Sequence, residues 1–428
     1  MAFQILECAA PVREREGTRM SAAVLSINNY YYPRGGAEVA FLRHNGVLHD
    51  AGFRVVPFSM NHRMNIGGAE RPEFASELEY GSESDGPVTT LRKGLKSIYS
   101  FEARSKLGRL IERAAPNVCH AHNIYHHLTP SILSLVRARG IPLVMTLHDL
   151  KLACPAYKML SRDGVCERCR DGRLYQVVTN RCMKGSFALS ALVMVESYLH
   201  QWLRSYVRNV DRFLVPSRFY MQKFIEWGYP AELFEYVPNF ISADSFEARY
   251  EPGKRYVYFG RLGHEKGIGT LIRAAIEAKV GLDIIGVGSM EPELRTLAAD
   301  GDVRFLGFMA GEKLSAAVAS ARAVVVPSEW YENAPLAALE AAALGKPLIV
   351  ARIGGLPELV VDNESGWSFE SRSVAELAAT LRRVAELPDA EVSSAGMAAR
   401  RFVEQEFSPR RYLERIRVIY SKLGVEWP

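Results

Sequence analysis

The segment Tyr256-Val-Tyr-Phe-Gly-Arg-Leu-Gly-His-Glu-Lys-Gly267 joins a short apolar run to a glycine-rich loop. Its first five residues are typical of a buried parallel strand, and the loop leads into a helical stretch that begins near Ile268. Arg261 and Lys266 lie beside backbone N–H groups at the start of that helix, which is a favourable environment for a diphosphate. Two solvated basic residues in an ordinary turn are the alternative interpretation.

The same alternation of apolar strand, loop and helix extends over most of the chain in two series. It is typical of parallel sheets covered by helices, in which ligands bind at the carboxyl ends of the strands. We therefore expect an α/β protein with two Rossmann-like doubly wound domains that face a cleft. Strands are predicted at 22–27, 54–59, 118–121, 142–148, 212–216 and 236–238, and then at 256–260, 282–286, 303–307, 323–327 and 348–351.

The polar segment 239–254 has no clear periodicity and is the predicted linker between the two series. After residue 371 the pattern becomes helical, and the last helices are expected to pack back across the domains. Residues 1–19 are predicted to be a disordered extension, and either Met1 or Met20 is the true start. The expected domains are 20–245, with an insertion at 151–185, then 246–395, and the C-terminal helices at 396–428.

Composition restricts the class of protein. The 428 residues contain 53 Lys and Arg against 48 Asp and Glu, a formal net charge of +5 that is too small to favour nucleic acid as a partner. No run of about 18 apolar residues occurs, and the first residues do not resemble a secretory signal. We expect a cytoplasmic protein, soluble or attached to the inner face of the membrane.

A second loop and helix start lies in Pro327-Ser-Glu-Trp-Tyr-Glu-Asn-Ala-Pro-Leu-Ala-Ala-Leu-Glu340. Pro335 is predicted to open the helix, because proline is favoured in the first helical turn. Glu332 then precedes the helix, and Glu340 lies about 7.5 Å further along at about 1.5 Å per residue. Two carboxylates so placed can contact different parts of one elongated ligand. Chance spacing in a helical protein is the alternative explanation.

Polar residues and glycines also follow strands of the first series. Gly35 and Gly36 lie between strand 22–27 and a helix, where glycine lets a ligand approach the backbone closely. His148 lies at the end of the apolar strand 142–148. A histidine in that position either faces a ligand or only ends the strand.

Four features, in this order, resemble the retaining glycosyltransferases of family 4. They are the Gly-Gly-Ala-Glu loop at 35–38, Arg261 with Lys266, Glu332 with Glu340, and Gly354-Gly355. The resemblance extends from about Val24 to Trp367. It implies a GT-B fold, a nucleoside diphosphate sugar, with UDP or GDP, as the donor, and a glycan or lipid-linked acceptor. It also implies that catalysis needs no metal, because basic residues and helix dipoles stabilise the leaving group.

The resemblance implies a role for each matching residue. Arg261 and Lys266 hold the diphosphate, Glu332 binds hydroxyls of the donor sugar, and Glu340 accepts from the ribose hydroxyls. His148 matches the family's active-site histidine, which faces the donor sugar. The other implied binding residues are Gly35 and Gly36, the interdomain Asn239, and the segment Asn333, Ala334, Pro335 and Leu336. No general base is assigned.

The predicted insertion carries four cysteines with the spacing C-x(11)-C-x(2)-C-x(12)-C: Cys154, Cys166, Cys169 and Cys182. Four thiolates that include one close pair match a tetrahedral structural zinc site. Disulfide or redox pairing and free structural thiols are the alternatives. The insertion also holds eight Lys or Arg and three Asp or Glu. It therefore either contacts anionic lipid or a lipid-diphosphate acceptor, or is a solvated loop.

The function that these features favour is sugar transfer in the assembly of bacterial envelope or capsule polysaccharide. A nucleotide-sugar epimerase of GT-B fold would consume the same donor without an acceptor. A non-catalytic GT-B scaffold would bind without turnover, although the cations and both glutamates are present. The basic four-cysteine insertion as a nucleic-acid module is a further alternative, with few interleaved aromatic residues to support it.

Overall fold

A computed structural model describes residues 22–67, 71–77, 94, 96–161 and 163–428 of the chain. The extension predicted at residues 1–19 lies outside the described residues. Two six-stranded parallel sheets form the framework, and the predicted α/β fold with two doubly wound sheets is confirmed. Within the described part of the chain, no helix has the length and hydrophobicity that crossing a membrane requires.

The first sheet is formed by residues before position 237, and its strands run in the order β2-β1-β3-β4-β7-β8. All residues of β1, β3 and β4 are buried. Strands buried on both faces are largely apolar, which made them recognisable in the sequence, although Ser26, His120 and Thr146 are buried polar residues of these strands. The strands up to this point are β1 (Ala23–Ile27), β2 (Arg54–Phe58), β3 (Val118–Ala121), β4 (Leu143–Thr146), the antiparallel hairpin β5 (Leu160–Ser161) and β6 (Gly164–Val165), β7 (Arg212–Val215) and β8 (Phe234–Tyr236).

The second sheet has the strand order β11-β10-β9-β12-β13-β14. Its strands are β9 (Tyr256–Phe259), β10 (Leu282–Ile285), β11 (Val303–Gly307), β12 (Val324–Val326), β13 (Leu348–Ala351) and β14 (Gly366–Phe369). Strands β10 and β11 lie on one side of β9, and β12, β13 and β14 lie on the other, so the order reverses between β9 and β12. In the first sheet it reverses between β1 and β3. Loops that leave the carboxyl ends of such strands diverge and open a crevice for ligands.

Helices connect the strands of both sheets and end the chain. They are α1 (Gly36–Asp50), α2 (Phe101–Ala114), α3 (Ser131–Ala138), α4 (Gln176–Thr179), α5 (Phe187–Trp202), α6 (Arg218–Glu226), α7 (Ile268–Ala278), α8 (Glu291–Leu297), α9 (Gly311–Ala319), α10 (Leu336–Ala343), α11 (Val374–Glu386), α12 (Asp389–Glu406) and α13 (Pro409–Lys422). The helix predicted after Gly267 begins at Ile268, as expected.

Several details differ from the sequence-based expectation. The hairpin of β5 and β6 was not predicted, and the strand predicted at 142–148 ends at Thr146, so His148 lies in the loop that follows it. The strand predicted at 236–238 ends at Tyr236, because the chain turns there into the linker. Pro335 precedes α10 in extended backbone instead of opening it, and Leu336 is its first residue. Strand β14 was not predicted, because it begins with Gly366 after a polar turn and so lacks the usual apolar start.

The last helix, α13, returns to the first sheet. Its hydroxyl cap comes from Ser408, which accepts from the N–H of Arg411, and Pro409 occupies the first helical position. Ile416 and Tyr420 are fully buried in a core shared with the strands and helices around β1. Helix α13 therefore packs against the first sheet and forms part of its core.

Candidate functional site

A cleft of about 630 Å³ lies between the two sheets, at the carboxyl ends of their strands. The first sheet contributes the start of α1 and the loop after β4. The second contributes the loop after β9 and the segment between β12 and α10. Because β9 and β12 flank the reversal of strand order, this is the place where a doubly wound sheet binds ligands.

Nearly all the residues predicted to bind ligand line this cleft. They are Gly35, Gly36, His148, Asn239, Arg261, Lys266, Glu332, Asn333, Ala334, Pro335 and Leu336. Residues as far apart in the chain as Gly35 and Leu336 are thus brought to one surface by the two sheets. Glu340 is not part of this lining.

A partly buried ion pair lines the cleft on the side of the second sheet. Nζ of Lys266 lies 2.6 Å from Oε1 of Glu332, and the Ser328 hydroxyl donates to the same oxygen at 2.7 Å. Burial disfavours the charged form of Glu332, but the Lys266 ammonium and these hydrogen bonds outweigh it and lower the pKa. Glu332 is therefore an ionised hydrogen-bond acceptor at neutral pH.

The loop that carries both cations is packed tightly against the end of β12. Arg261 forms an ion pair with Glu265. The backbone N–H of Glu329 donates to the Glu265 carbonyl at 2.9 Å. Gly267 has φ +66°, and a Cβ atom there would lie 1.9 Å from the carbonyl oxygen of Pro327. Only glycine permits this approach, so Gly267 fixes the cation-bearing loop beside the glutamate-bearing one.

The glycine pair after β13 supports the same segment from behind. A Cβ at Gly354, whose φ is +59°, would lie 2.4 Å from the Glu332 carbonyl oxygen. A Cβ at Gly355 would lie 2.1 Å from the Asn333 carbonyl oxygen. The Gly355 N–H donates to the Glu332 carbonyl at 2.8 Å. The pair is therefore needed to let the backbone around Glu332 lie where it does.

Hydrogen bonds join the two halves of the cleft. The Ser217 hydroxyl donates to Oδ1 of Asn333 at 2.8 Å, and Nδ2 of Asn333 donates to the Leu147 carbonyl at 3.2 Å. Nδ2 of Asn239 donates to the Ala334 carbonyl at 2.8 Å. Asn239 and Asn333, both predicted as ligand-binding residues, hold the halves together through these side-chain bonds.

His148 is the end of a line of buried imidazoles behind the cleft. Its Nε2 lies 2.9 Å from Nδ1 of His122, and the two rings are stacked. His122 stacks in turn on His120, with ring centres 4.8 Å apart. Burial lowers the pKa of His148 to about 4. The side chain is therefore neutral at physiological pH, and a neutral imidazole can both donate and accept a hydrogen bond.

Tyrosines of α13 hold this histidine line from the far side. Tyr412 OH lies 2.8 Å from Nδ1 of His44, and Tyr420 OH lies 2.8 Å from Nδ1 of His120. His44, His120 and His122 bring one nitrogen each within 4.8 Å of the others. Because hydroxyl groups already engage His44 and His120, we interpret the group as a support for His148. No sequence motif indicated this support.

Glu340 joins the two sheets below the cleft. Its side chain is 0% exposed, and its Oε1 lies 3.2 Å from Nη2 of Arg43 on α1. Burial raises the pKa of Glu340 to about 7, although Arg43 opposes the rise. In this structure Oε1 contacts Arg43 of the other half, while Oε2 is buried without a hydrogen-bond partner. The predicted contact of Glu340 with ribose hydroxyls stays a prediction.

The sequence did not single out several residues that line the cleft, among them Arg34, Asp149, Tyr157 and Lys158. Burial raises the pKa of Asp149 to about 6, opposed by a hydrogen bond from the Lys151 N–H. The only sequence signal for Asp149 as a cleft residue was its position directly after His148. Arg34 directly precedes Gly35 and Gly36, and Tyr157 and Lys158 lie in the predicted insertion, but no motif indicated that these three side chains line the cleft.

Two Rossmann-like sheets, with cations of the second facing a buried histidine of the first across a cleft, define a protein of the GT-B class. A family model described as Glycosyltransferase Family 4 matches residues 34–245, and a second, described as Glycosyl transferases group 1, matches residues 242–401. Together the two family models extend over most of the chain, from 34 to 401. The chain belongs to glycosyltransferase family 4.

Curated relatives include transferases of bacterial polysaccharide synthesis. The amylovoran biosynthesis glycosyltransferase AmsK of Erwinia amylovora is 30% identical over 250 residues, 54% of this chain and 61% of AmsK. The putative colanic acid biosynthesis glycosyltransferase WcaL of Escherichia coli is 30% identical over 162 residues, 35% of this chain and 40% of WcaL. The chain thus spans less than two thirds of the length of these relatives.

Solved structures with the same fold cover almost the whole chain. Sucrose-phosphate synthase from Thermosynechococcus elongatus has a TM-score of 0.68 at 20% identity, covering 94% of this chain and 99% of its own. HepE of Anabaena, solved with UDP and glucose, has a TM-score of 0.63 at 18% identity, covering 94% and 100%. At this identity the likeness establishes the fold alone.

Proposed function

We propose that the protein is a metal-independent, retaining glycosyltransferase. It moves a sugar from a nucleoside diphosphate, with UDP or GDP, to a glycan or lipid-linked acceptor in envelope or exopolysaccharide synthesis. The observation that carries this proposal is the position of Lys266, Arg261 and Glu332 at the strand-order reversal of the second sheet, opposite His148. AmsK and WcaL, both named for polysaccharide biosynthesis, support the biological setting.

The donor diphosphate is placed against the loop after β9. The start of α7 offers backbone N–H groups and a positive helix end. Arg261 and Lys266 add two cationic side chains, which are paired with Glu265 and Glu332 in this structure. Negative charge grows on the diphosphate as the glycosidic bond breaks, so these groups stabilise the transition state more than the ground state. This is the part that a divalent cation plays in other transferases.

The donor sugar is placed between Glu332 and His148. The ionised Glu332 accepts hydrogen bonds from sugar hydroxyls, and the neutral His148 faces the ring from the first sheet. For retention we propose a front-face route, in which the departing phosphate takes the acceptor proton. Glu332 is held by Lys266 and Ser328 and so serves as a binding group rather than a nucleophile.

Binding of the donor is the first test. We expect one of the UDP-, GDP- or ADP-sugars, added without metal, to raise the melting temperature, since a ligand at 100 times its dissociation constant stabilises by about 2.7 kcal/mol. Lys266→Ala should lose most of this shift. Arg273→Ala, an exposed residue of the same α7 helix, should keep it.

No shift with any nucleotide, in the presence or absence of candidate acceptors, would count against the transferase proposal. Turnover of the sugar without transfer would instead identify an epimerase. Binding without turnover across an acceptor panel would favour the scaffold alternative.

Contact with anionic lipid is proposed for α5, next to the insertion. Phe187, Val195, Tyr198 and Trp202 lie on one helical face and are 37% to 79% exposed. Exposed basic residues flank them at Arg181, Lys184 and Arg204. An exposed aromatic face with basic neighbours is typical of a helix that lies in a membrane interface. A lipid-linked acceptor would then reach the cleft from the inner face of the membrane.

Vesicle flotation tests this contact. The protein should float with vesicles that contain an acidic phospholipid, and less so as salt screens the charges. Phe187→Ser combined with Trp202→Ser should abolish flotation, whereas Val418→Ser, an exposed position on α13, should not. Equal recovery of the double variant and the wild-type protein with the vesicles would refute the lipid contact without affecting the donor site.

A further inference from the structure

The four cysteines of the insertion converge on one point of the fold. They come from three separate turns, yet all four line a single cavity of about 20 Å³. None of them forms a disulfide in this structure, and each is half-buried. A space of this size accommodates about one water-sized particle, so the cavity suits a single ion better than an organic ligand.

Backbone hydrogen bonds fix the turns that carry the cysteines. The N–H of Tyr157 donates to the Cys154 carbonyl at 2.7 Å, and the N–H of Cys166 donates to the Met159 carbonyl at 2.8 Å. The N–H of Cys182 donates to the Val177 carbonyl at 3.0 Å. Each turn therefore holds its cysteine in a defined position beside the shared cavity.

The insertion has only a small apolar core of its own. Of its buried side chains, Leu152, Ala153 and Met159 belong to the core of the first sheet. Ala156 and Val177 form a separate small cluster with Val193 of α5, packed against cysteine and methionine side chains. Its regular structure is limited to a hairpin with two residues per strand and the four-residue helix α4. Small units of this kind usually depend on a metal or on disulfides.

We infer that Cys154, Cys166, Cys169 and Cys182 bind one Zn²⁺ as four thiolates, and that this structural site shapes the acceptor side of the cleft. Tetrahedral coordination by four protein ligands leaves no position for a substrate, so the ion has no catalytic role. Binding exchanges thiol protons for zinc and releases them to solvent.

The sulfur atoms must move together when the ion binds. Among the described residues, only the three histidines His44, His120 and His122 have donor atoms all within 4.8 Å of one another. Zinc lies about 2.3 Å from each thiolate sulfur, which requires closer sulfurs than this structure shows. We therefore expect the ion to draw the turns of the insertion inward.

This contraction matters for the cleft because the cysteine turns carry residues that face it. Tyr157 and Lys158, directly after the Cys154 turn, line the cleft. Glu167, next to Cys166, accepts from Tyr331 OH at 2.7 Å, and Tyr331 directly precedes the cleft glutamate. The zinc-bound turns thus hold one wall of the cleft and contact the second half of the molecule.

Metal content tests the inference without any assay of sugar transfer. Full-length protein expressed with zinc in the medium should contain about one zinc per chain, and mercurial modification of the thiols should release it. Exchange with Co²⁺ should produce the visible absorption of a tetrahedral thiolate site. Cys169→Ser should lose the metal, whereas Cys169→His, which offers another zinc ligand, should retain it. Cys119→Ala, which removes a buried cysteine of β3, should bind zinc like the wild-type protein.

Zinc-free protein with four reactive thiols, or with two disulfides by mass spectrometry under non-reducing conditions, would overturn the inference. Loss of zinc in Cys119→Ala would do so as well, since the metal would then not belong to the cluster. For Cys169→Ser we expect faster proteolysis between residues 151 and 185, while the nucleotide-induced melting shift persists. If the wild-type protein shows no nucleotide-induced melting shift, that result concerns the proposed donor site and not the zinc site.

Discussion

Lys266→Ala is expected to slow sugar transfer by about 10² to 10³-fold in kcat, with a smaller effect on KM. Lys266 lies at the end of the β9 loop, 2.6 Å from Glu332 and beside the start of α7. It faces the position at which the leaving diphosphate gains charge. Removing it withdraws a preorganised charge from a half-buried site, where an ammonium stabilises the transition state more strongly than in water. Initial rates over a range of donor concentrations measure both constants.

A second variant distinguishes direct phosphate contact from an effect through Glu332. If Lys266 acts only by holding that carboxylate, Glu332→Gln should be as damaging, and the double variant should be no worse than either single one. If it contacts phosphate, the two losses should combine. Arg273→Ala on the outer face of α7 is the matched control and should keep the wild-type rate. A loss of less than about tenfold in Lys266→Ala would remove this lysine from the proposed catalytic role.

Glu196→Ala is expected to destabilise the first half of the molecule by about 3–5 kcal/mol, because it leaves a buried ammonium without its counter-ion. Nζ of Lys151 lies 2.7 Å from Oε2 of Glu196, and the two side chains are 4% and 2% exposed. The pair joins the base of the insertion to α5. The midpoint of urea unfolding, followed by circular dichroism, should fall markedly.

The control for this prediction removes both charges. Lys151→Met combined with Glu196→Leu should recover most of the lost stability, since apolar residues of similar volume can replace a buried pair at little cost. Equal destabilisation in the double variant would show that packing, rather than the unpaired charge, explains the loss. Glu414→Ala, at an exposed pair on α13, should change the midpoint very little.

The pattern of apolar and polar residues along the sequence was sufficient to predict the α/β fold with two doubly wound sheets. Parallel strands buried on both faces are largely apolar, so a run such as β13 was predicted with its observed limits. Strand β3 was also predicted with its observed limits, although it contains the buried His120. The loops after β9 and β12 carry Lys266 and Glu332, and both residues line the cleft, as their positions after strands indicated. Strand β14 and the hairpin in the insertion were not predicted, because their sequences carry only weak strand signals.

The position of Glu340 could not be predicted from its sequence spacing to Glu332. Its distance from Glu332 along the chain suggested two carboxylates on one ligand, but α10 turns it toward Arg43 of the other half. A helix position fixes the direction of a side chain only relative to its own axis. How that axis is packed decides whether the side chain reaches a ligand or a neighbouring helix.

The sequence by itself determined the two doubly wound sheets, the loops that carry charge and the spacing of the four cysteines, because these depend on local period and residue type. Only the tertiary structure decided that Tyr412 and Tyr420 of the last helix support His44 and His120, and thereby His148. It also decided that the cysteines converge on one cavity. Such contacts join residues far apart in the chain, and their geometry is fixed by the packing of whole elements, which no local pattern records.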